Sequence, residues 1–349
     1  MHAGNESCCL RRLGVGAQSK RCCENWEWLP RHCELQDRFR CDHSGKEAMC
    51  AALRGVGVKH MLVVGDSLSF HHLETMLCPW TGLKPAQSCL GEGLWQGAID
   101  CNGRNILISY ARSDCLATPQ FQAWLPRDSP CGRTWQYHPN SDIGRLRRCG
   151  TQLGCTSKCL DFLGRSNLWW ELLQGKSPPD LLLVNVGAHL HNATEYQHAV
   201  KSAAEMIRRS DFYLRGGLVV VRNTPPGHTN WKTAKTPFSP AEIAADIALY
   251  TQNGSGSVSH LSRDQIQKYS LYWGAFSEFN KIIERHLVDG LGGHLLDADS
   301  ATRLRPDGHR DPLHYHHNHP AVMLWTDLLL QLLLEIRMVA NGRNRSHEH

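Results

Sequence analysis

The stretch from His60 to Pro79, HMLVVGDSLSFHHLETMLCP, leaves this chain few ways to fold. Met61 to Val64 is an apolar, partly β-branched run, too short for a helix and suited to a buried strand. Gly65 permits a sharp turn, and from Ser67 onward Leu68, His72, Leu73 and Met76 recur at helical spacing. The pattern predicts a strand, a Gly65-Asp66-Ser67 corner and a helix opening at Ser67. A serine on such a corner presents its hydroxyl at the carboxyl end of a strand, where open α/β sheets build their sites. The helix start adds unpaired N–H groups and a positive dipole end, both useful to a developing oxyanion. Alone, the tripeptide is better explained by a serine that caps its helix. An acid–base pair elsewhere must decide.

The strand–helix alternation continues downstream. Asn105 to Tyr110, Leu181 to Val186, Leu218 to Val221 and His294 to Asp297 read as further short strands. Between them, Tyr196, Ala199, Val200, Ala203, Ala204 and Ile207 share one face of a helix beginning near Ala193, and Tyr272, Phe276, Phe279, Ile283 and Leu287 mark another. Ser239-Pro-Ala-Glu242 is a capping box with proline at the first helical position. The run from Ala321 to Val339 is broken by Asp327, Gln331, Glu335 and Arg337, which makes it an amphipathic core helix rather than a membrane span. This order predicts an α/β protein with a mostly parallel sheet in three layers, α/β/α. At 349 residues and 41% hydrophobic, the chain can bury one large core with a smaller appendage. The expected division is a Cys-rich cap over residues 1–52, a main domain over 53–340 and a polar tail over 341–349. Residues 111–160 read as long, disulfide-pinned loops, of the kind that often form binding surfaces.

All 15 cysteines lie between Cys8 and Cys159. Zinc is one reading of that density, but Cys8-Cys9 and Cys22-Cys23 are adjacent pairs, and Cys155-x-x-x-Cys159 has no similarly spaced partner pair nearby. Disulfides across the N-terminal half fit better and leave one cysteine over. Sequons at Asn5, Asn192, Asn253 and Asn344 agree with a secretory route. The N-terminus MHAGNESCCLRRLG has no signal-peptide apolar stretch, so a leader or membrane anchor is expected to lie outside this sequence. The net charge of +5 is mild, and no basic run is interleaved with aromatics, so nucleic-acid binding finds no support.

The segment Arg305-Pro-Asp-Gly-His-Arg-Asp-Pro-Leu-His-Tyr-His-His-Asn-His-Pro320 supplies a candidate acid–base pair. Asp311 and His314 are three apart and share a face in a turn or helix start. A carboxylate so placed can orient an imidazole whose other nitrogen reaches a serine hydroxyl, and it raises the ring's proton affinity as a general base requires. The same segment also reads as a solvated loop. A metal site built from His309, His314, His316, His317 and His319 is a third reading. It needs an irregular backbone, because His316 and His317 cannot point the same way in a regular element. Joined to Gly-Asp-Ser at the first strand, the Ser67, Asp311, His314 triad is the best reading.

With these residues in hand the chain resembles the SGNH/GDSL esterase superfamily. More narrowly, it resembles the plant trichome birefringence-like and PC-esterase group of polysaccharide O-acetyltransferases and related esterases. Trp26, Trp28, Pro30 and Cys33 match the tryptophan–proline–cysteine run before the first strand, and LRGVGVKHMLVVGDSLS matches the nucleophile block. LLLVNVGAHL resembles the third-strand block, VVVRNTPPGH the Arg-x-x-x-Pro-x-His segment, and HLLDADSATRLRPDGHRDPLHY the approach to Asp-x-x-His. Trp325, Asp327 and Leu328 continue the match into the last helix, so the likeness spans roughly residues 22–335 in family order.

The resemblance implies an SGNH-like fold and a carbohydrate O-acetyltransferase of the Golgi lumen or secreted space. The alternatives are an acetylesterase on the same fold and a catalytically silent glycan-binding protein. It implies Ser67 as nucleophile, Asp311 as orienting carboxylate and His314 as base and then acid. The Ser67 N–H and His189 would hold the oxyanion; His71, Arg222 and His228 would line the substrate cleft or support its backbone. No tightly bound cofactor or metal is implied. The acetyl donor, derived from acetyl-CoA or another acyl ester, and the polysaccharide acceptor are substrates, and any membrane contact runs through an anchor outside this sequence. The chain departs from the family at Phe70-His71-His72, where plant members carry Arg-Asn-Gln. Pro312, Tyr315 and His316 replace the usual cysteine, tryptophan and cysteine, which implies different disulfides. Gly187-Ala-His189 puts a histidine where SGNH esterases use asparagine; as a plain loop residue it would do nothing.

Overall fold

The computed structural model describes residues 8–12, 26–30, 45–81, 94–125, 147–148, 158–160, 169–190, 193–228, 239, 241–242, 244–245, 275–311, 313–316 and 319–346. Its strands are β1 (Cys8–Arg12), β2 (Trp26–Pro30), β3 (His60–Gly65), β4 (Leu94–Asp100), β5 (Asn105–Arg112), β6 (Arg147–Arg148), β7 (Lys158–Leu160), β8 (Leu181–Val184), β9 (Leu218–Arg222) and β10 (His294–Leu296). Its α-helices include α1 (Lys46–Gly55), α2 (Ser67–Thr81), α3 (Pro119–Trp124), α4 (Ala193–Arg208), α5 (Asp211–Leu214), α6 (Phe276–Ile283), α7 (Ala298–Thr302) and α8 (Pro320–Ser346).

β1 and β2 form an antiparallel pair, and the other eight strands form one sheet in the order β10-β9-β8-β3-β5-β4-β7-β6. From β10 to β5 every pairing is parallel, and from β5 to β6 every pairing is antiparallel. The five parallel strands thus stand in the spatial order 2-1-3-4-5 of their succession along the chain. That order reverses direction between β3 and β8, and the crevice beyond the carboxyl ends at such a reversal is where open α/β sheets bind ligands.

Strand periodicity divides the core in two. Leu62, Val64, Leu182, Val184, Val219 and Val221 pack with α4 and α6 through Tyr196, Ala199, Val200, Phe276, Phe279 and Ile283. Their neighbours Met61, Val63, Leu181, Leu183 and Val220 face the opposite way, onto α1, α2 and α8 through Leu53, Leu73, Met76, Trp325 and Leu329. Successive residues of a strand point to opposite faces, so these near-continuous apolar runs are what a parallel sheet covered on both sides requires. The helix faces expected from periodicity are the buried ones: all six apolar positions picked out on α4 are in the core.

Several boundaries differ from expectation. Pairing of the third parallel strand stops at Val184, which frees Asn185 and Val186 for the turn beyond it. β4, β6 and β7 extend the sheet through regions with no strand forecast, two of them inside the segment read as loops. β4 joins β5 through Asn102-Gly103, both at positive φ (57° and 79°), as a two-residue hairpin turn demands. α1 crosses the expected cap boundary at 52/53 and buries Met49, Cys50, Ala52 and Leu53 in the main core. A disulfide joins Cys50 on α1 to Cys101 at the β4–β5 turn, placing one pair in the N-terminal half as the cysteine distribution predicts. The last helix runs on to Ser346, so six residues assigned to the polar tail are helical. Among the described residues, no helix is long and apolar enough to cross a membrane. Tyr272 and His317 lie outside the described residues.

The β3–α2 corner depends on Gly65. Its φ is +155°, and a Cβ there would overlap the Asn185 carbonyl oxygen and the Ser69 hydroxyl. Gly65→Ala should therefore cost at least about 2 kcal/mol in chemical denaturation, since neither the crossing backbone nor the helix start has room to retreat. A variant as stable as wild type would mean that the corner is not held as described.

Candidate functional site

The corner is built by Asp66 as much as by Gly65. The Asp66 side chain is fully buried. Its Oδ1 accepts from the Leu68 N–H at 2.9 Å, and its Oδ2 accepts from the Ala188 N–H at 3.3 Å, binding the start of α2 to the turn after β8. The Asp66 carbonyl accepts from the Ser69 and Phe70 N–H groups, both at 3.1 Å. Tyr110 from β5 donates its hydroxyl to the carbonyls of Gly65 and Asp66. Of the first four N–H groups of the helix, these bonds leave that of Ser67 without a partner among the described residues. Asp66 sat inside the tripeptide that drew attention to Ser67, but nothing in the spelling announces its bridging role.

Below the corner lies a buried cation. Arg222, at the end of β9, donates Nη1 to the Leu68 carbonyl at 3.0 Å and Nη2 to Asn185 Oδ1 at 2.6 Å and Ser69 Oγ at 3.3 Å. Its guanidinium carbon sits 4.7 Å from the centre of the Trp325 ring on α8. Burial pulls its pKa down to about 10, against the opposing pull of Asp66, so the side chain keeps its charge at neutral pH. Asn185 completes the network by donating Nδ2 to the Arg222 carbonyl and to Thr224 Oγ1. Arg222 is 1% exposed. It braces the site from inside through the Leu68 carbonyl and Asn185.

Over the corner the structure brings Ser67, His314 and Asp311 into line. Ser67 Oγ lies 2.7 Å from His314 Nε2, and His314 Nδ1 lies 2.8 Å from Asp311 Oδ2. Asp311 Oδ1 also accepts from the backbone N–H groups of Leu313 and His314, at 2.9 and 2.7 Å. That turn fixes both carboxylate and imidazole. Burial works to raise the Asp311 pKa, but the hydrogen bonds and charge of His314 and the two N–H bonds outweigh it and hold the carboxyl well below its ordinary range. A carboxylate at Nδ1 assigns the ring proton to that nitrogen, leaving Nε2 as the acceptor facing the serine hydroxyl. Ser67 is half-buried and the His314 side chain is 19% exposed, so reagents can reach the pair.

The remaining candidates fall around this line. His71 is 5.3 Å from His314 ring to ring and accepts from Arg310 Nη2 at 3.1 Å; it sits beside the triad rather than in it. His189 Nε2 lies 3.3 Å from the buried carboxylate of Asp114. His228 is 1% exposed and lies behind the site. Its Nε2 faces the Arg303 carbonyl and its Nδ1 faces His309 Nε2, both at 2.9 Å, while His309 Nδ1 is 3.2 Å from the Asp311 carbonyl. The histidines expected as a possible metal set are dispersed. His309 is buried against His228, His314 meets Ser67, His316 is exposed, and His319 lies between Arg305 and Asp307. Among the described residues, no group of three His, Cys, Asp or Glu could hold a metal ion. Asn185, Asp114 and Arg310 escaped the sequence reading, which placed Asp66 only in the corner and His309 only among possible metal ligands.

Compared with known proteins, the chain matches no family profile and no curated protein.

The buried histidines make the fold sensitive to acid. Burial lowers the pKa of His228 to about 4 and that of His319 to about 3, and it holds His72 and His309 well below their ordinary value. In the unfolded chain each would take a proton near pH 6.5. Acid therefore favours the unfolded state, and stability should fall progressively from pH 6.5 to about 4, before the Asp311 contribution begins to be lost at lower pH. Thermal melts across that range check the sign; a midpoint that is flat or rises towards pH 4 contradicts it.

Proposed function

We propose that this protein is a serine-dependent carbohydrate O-acyltransferase that carries an acetyl group through an ester on Ser67. The observation that carries this reading is the 2.7 Å approach of Ser67 Oγ to His314 Nε2, with Asp311 behind the ring, at the carboxyl end of the strand where the sheet reverses. Helix caps and solvated loops do not need a carboxylate, an imidazole and a hydroxyl in series. In the first step Ser67 Oγ attacks the acyl carbonyl carbon while its proton passes to His314 Nε2. The carbonyl π electrons move to oxygen, and the resulting oxyanion faces the Ser67 N–H at the start of α2. Collapse expels the donor's leaving group, which takes the proton from His314. The acceptor hydroxyl then repeats the sequence in reverse, giving up its proton to the same nitrogen.

The likeness to trichome birefringence-like and PC-esterase proteins supports acetyl as the acyl group and a polysaccharide as the acceptor. It also supports the SGNH-like version of this α/β fold with the Cys-rich segment as its cap. The Cys50–Cys101 disulfide supports an oxidising compartment, the Golgi lumen or the secreted space. The donor is read as an acetyl-CoA-derived or other acyl ester, and the chemistry needs no tightly bound cofactor. An acetylesterase would share every step up to the acyl-serine and differ only in letting water take the acceptor's place.

Brief exposure of wild type to an activated acetate ester should add one acetyl mass, mapped to Ser67, and Ser67→Ala should add none. His314→Ala should slow acylation by at least about 10³-fold. A polysaccharide acceptor that shortens the lifetime of the adduct and becomes acetylated identifies transfer, whereas an adduct lost to water at an unchanged rate identifies the esterase. Folded wild type that neither takes up acetyl nor turns over ester removes the acyl-serine reading for that donor and favours the silent glycan binder.

A further inference from the structure

The loops beyond the carboxyl ends of β5 and β8 each join the nucleophile corner to a helix. The β5 loop bonds to the corner through the Ser113 N–H, which donates to the Gly65 carbonyl at 2.9 Å, and it runs into α3. The β8 loop bonds to it through the Ala188 N–H, which donates to Asp66 Oδ2 at 3.3 Å, and it leads on to α4. Thr118 caps α3 by accepting from the Phe121 N–H at 3.2 Å.

Two rungs of side chains join these helices. At the first, the Ser202 hydroxyl pairs with that of Thr118 and donates to Gln120 Oε1 at 3.3 Å. At the second, Trp124 stacks on His198 with ring centroids 3.8 Å and planes 9° apart. Gln120 and Trp124 are an i,i+4 pair on α3, as His198 and Ser202 are on α4, so the rungs share one face of each helix and the helices run antiparallel. The Trp124 rung is therefore the one nearer the start of α4. His198 lies about 8 Å along the axis from Ala193 at roughly 1.5 Å per residue. The stacked rings stand towards the same edge of the sheet as Ser67, on the α4 side.

Phe121 anchors this stack in the core. It is 1% exposed, and its ring lies 5.9 Å from that of Trp124 with planes 20° apart. Trp124 nevertheless keeps 40% of its surface exposed, and His198 and Gln120 beside it are exposed as well. Among the described residues, the exposed large apolar side chains are Trp124, Leu214, Met338 and Val339, and Trp124 alone of these is aromatic. A lone apolar side chain at a surface needs no explanation. A ring held parallel to two others is a different object: its orientation is fixed in advance, so a ligand laid against it need not order it first.

A pyranose presents an apolar face of C–H groups and a rim of hydroxyls. An indole flanked by an imidazole and a carboxamide offers the matching surfaces, apolar area for the face and hydrogen-bonding groups for the rim. We propose that Trp124, with His198 and Gln120 beside it, is a sugar-binding subsite that seats the polysaccharide acceptor away from Ser67. The inference rests on the acyl-transfer reading above for the nature of the acceptor. It adds where the polymer lies: across the rim formed by α3 and α4, with a hydroxyl of another unit delivered to the triad. Contacts made there hold substrate and transition state alike, so they act on KM and not on the chemical step.

The test uses the full chain, with thermal melts to verify that each variant folds. Neutral xylo-, manno- and cello-hexasaccharides are titrated calorimetrically into Ser67→Ala, with their monosaccharides and coenzyme A alongside. At least one hexasaccharide should bind more tightly than its monosaccharide, and adding Trp124→Ala should weaken that binding about tenfold. Trp124→Phe keeps a ring and should recover most of the affinity, while His198→Ala should weaken it about threefold. With Ser67 intact, Trp124→Ala should raise KM for the same hexasaccharide about tenfold with kcat little changed. If Trp124→Ala fails to fold, the exposed His198 carries the test. Unaltered affinity in the folded variants, hexasaccharides that bind no better than single sugars, or a loss confined to coenzyme A overturns the inference. Because binding is read without the nucleophile, a wild type that takes up no acetyl removes the acyl-serine reading and leaves the subsite to be decided by the titrations.

Discussion

The guanidinium of Arg222 is the contact on which the site depends. It is one charge, out of reach of water, shared by the first turn of α2, the turn after β8 and the face of Trp325 on α8. Stripping one partner from a buried charge of this kind costs on the order of 3–5 kcal/mol, because the charge remains and its compensation does not. Each of the three elements is therefore locked to the other two. Asp66 performs the complementary task from the anionic side, spending both carboxylate oxygens on backbone N–H groups of the two adjoining loops. Between them the two charges hold the β3 and β8 turns in fixed relation, and Ser67 stands on the seam.

This arrangement separates holding from reacting. The groups that set the geometry, Asp66, Arg222, Asn185 and His228, are at most 1% exposed and direct their hydrogen bonds into the protein, with Arg222 Nε left without a partner. The groups with surface to offer are Ser67, His314, His189 and Arg310, all on loops or at a helix end. A parallel sheet makes that division natural: its strands, covered on both faces, contribute rigidity, and its carboxyl edge contributes the variable turns. The Phe70-His71-His72 triplet illustrates it residue by residue. Phe70 packs in the core beside Tyr110, His72 is buried edge-on against Trp325, and only His71 comes to within ring contact of the triad.

Much of this was legible in the chain, for reasons that differ by element. β3, β8 and β9 announce themselves because burial on both faces makes them nearly continuous apolar runs, and α4 does so because one face alone is apolar. Ser67, Asp311 and His314 stood out because each side chain lies in a local pattern, a corner or an i,i+3 pair. β4 did not, since its one polar–apolar alternation is interrupted by Gly97, although Asn102-Gly103 is a strong hairpin signal that went unused. Asp114 and Asn185 were beyond reach for another reason. The partners of Asn185, and the His189 partner of Asp114, are dozens of residues away, so their meaning lies in the strand order rather than in their neighbours. Arg222 and His228 were read from a motif that locates them but does not say which way they face, and the structure turns both inward.

Ser67 and His314 are separated by 247 positions in the chain and by one hydrogen bond in space. During synthesis the Gly-Asp-Ser corner exists long before its base does, and the Trp325 face that covers Arg222 arrives later still. Until α8 docks against α1 and α2, the serine is an ordinary hydroxyl on an incompletely braced turn. The contact between hydroxyl and imidazole is thus a property of the finished chain alone: a partly made or C-terminally clipped molecule would retain most of its sheet and leave the Ser67 hydroxyl with no imidazole beside it.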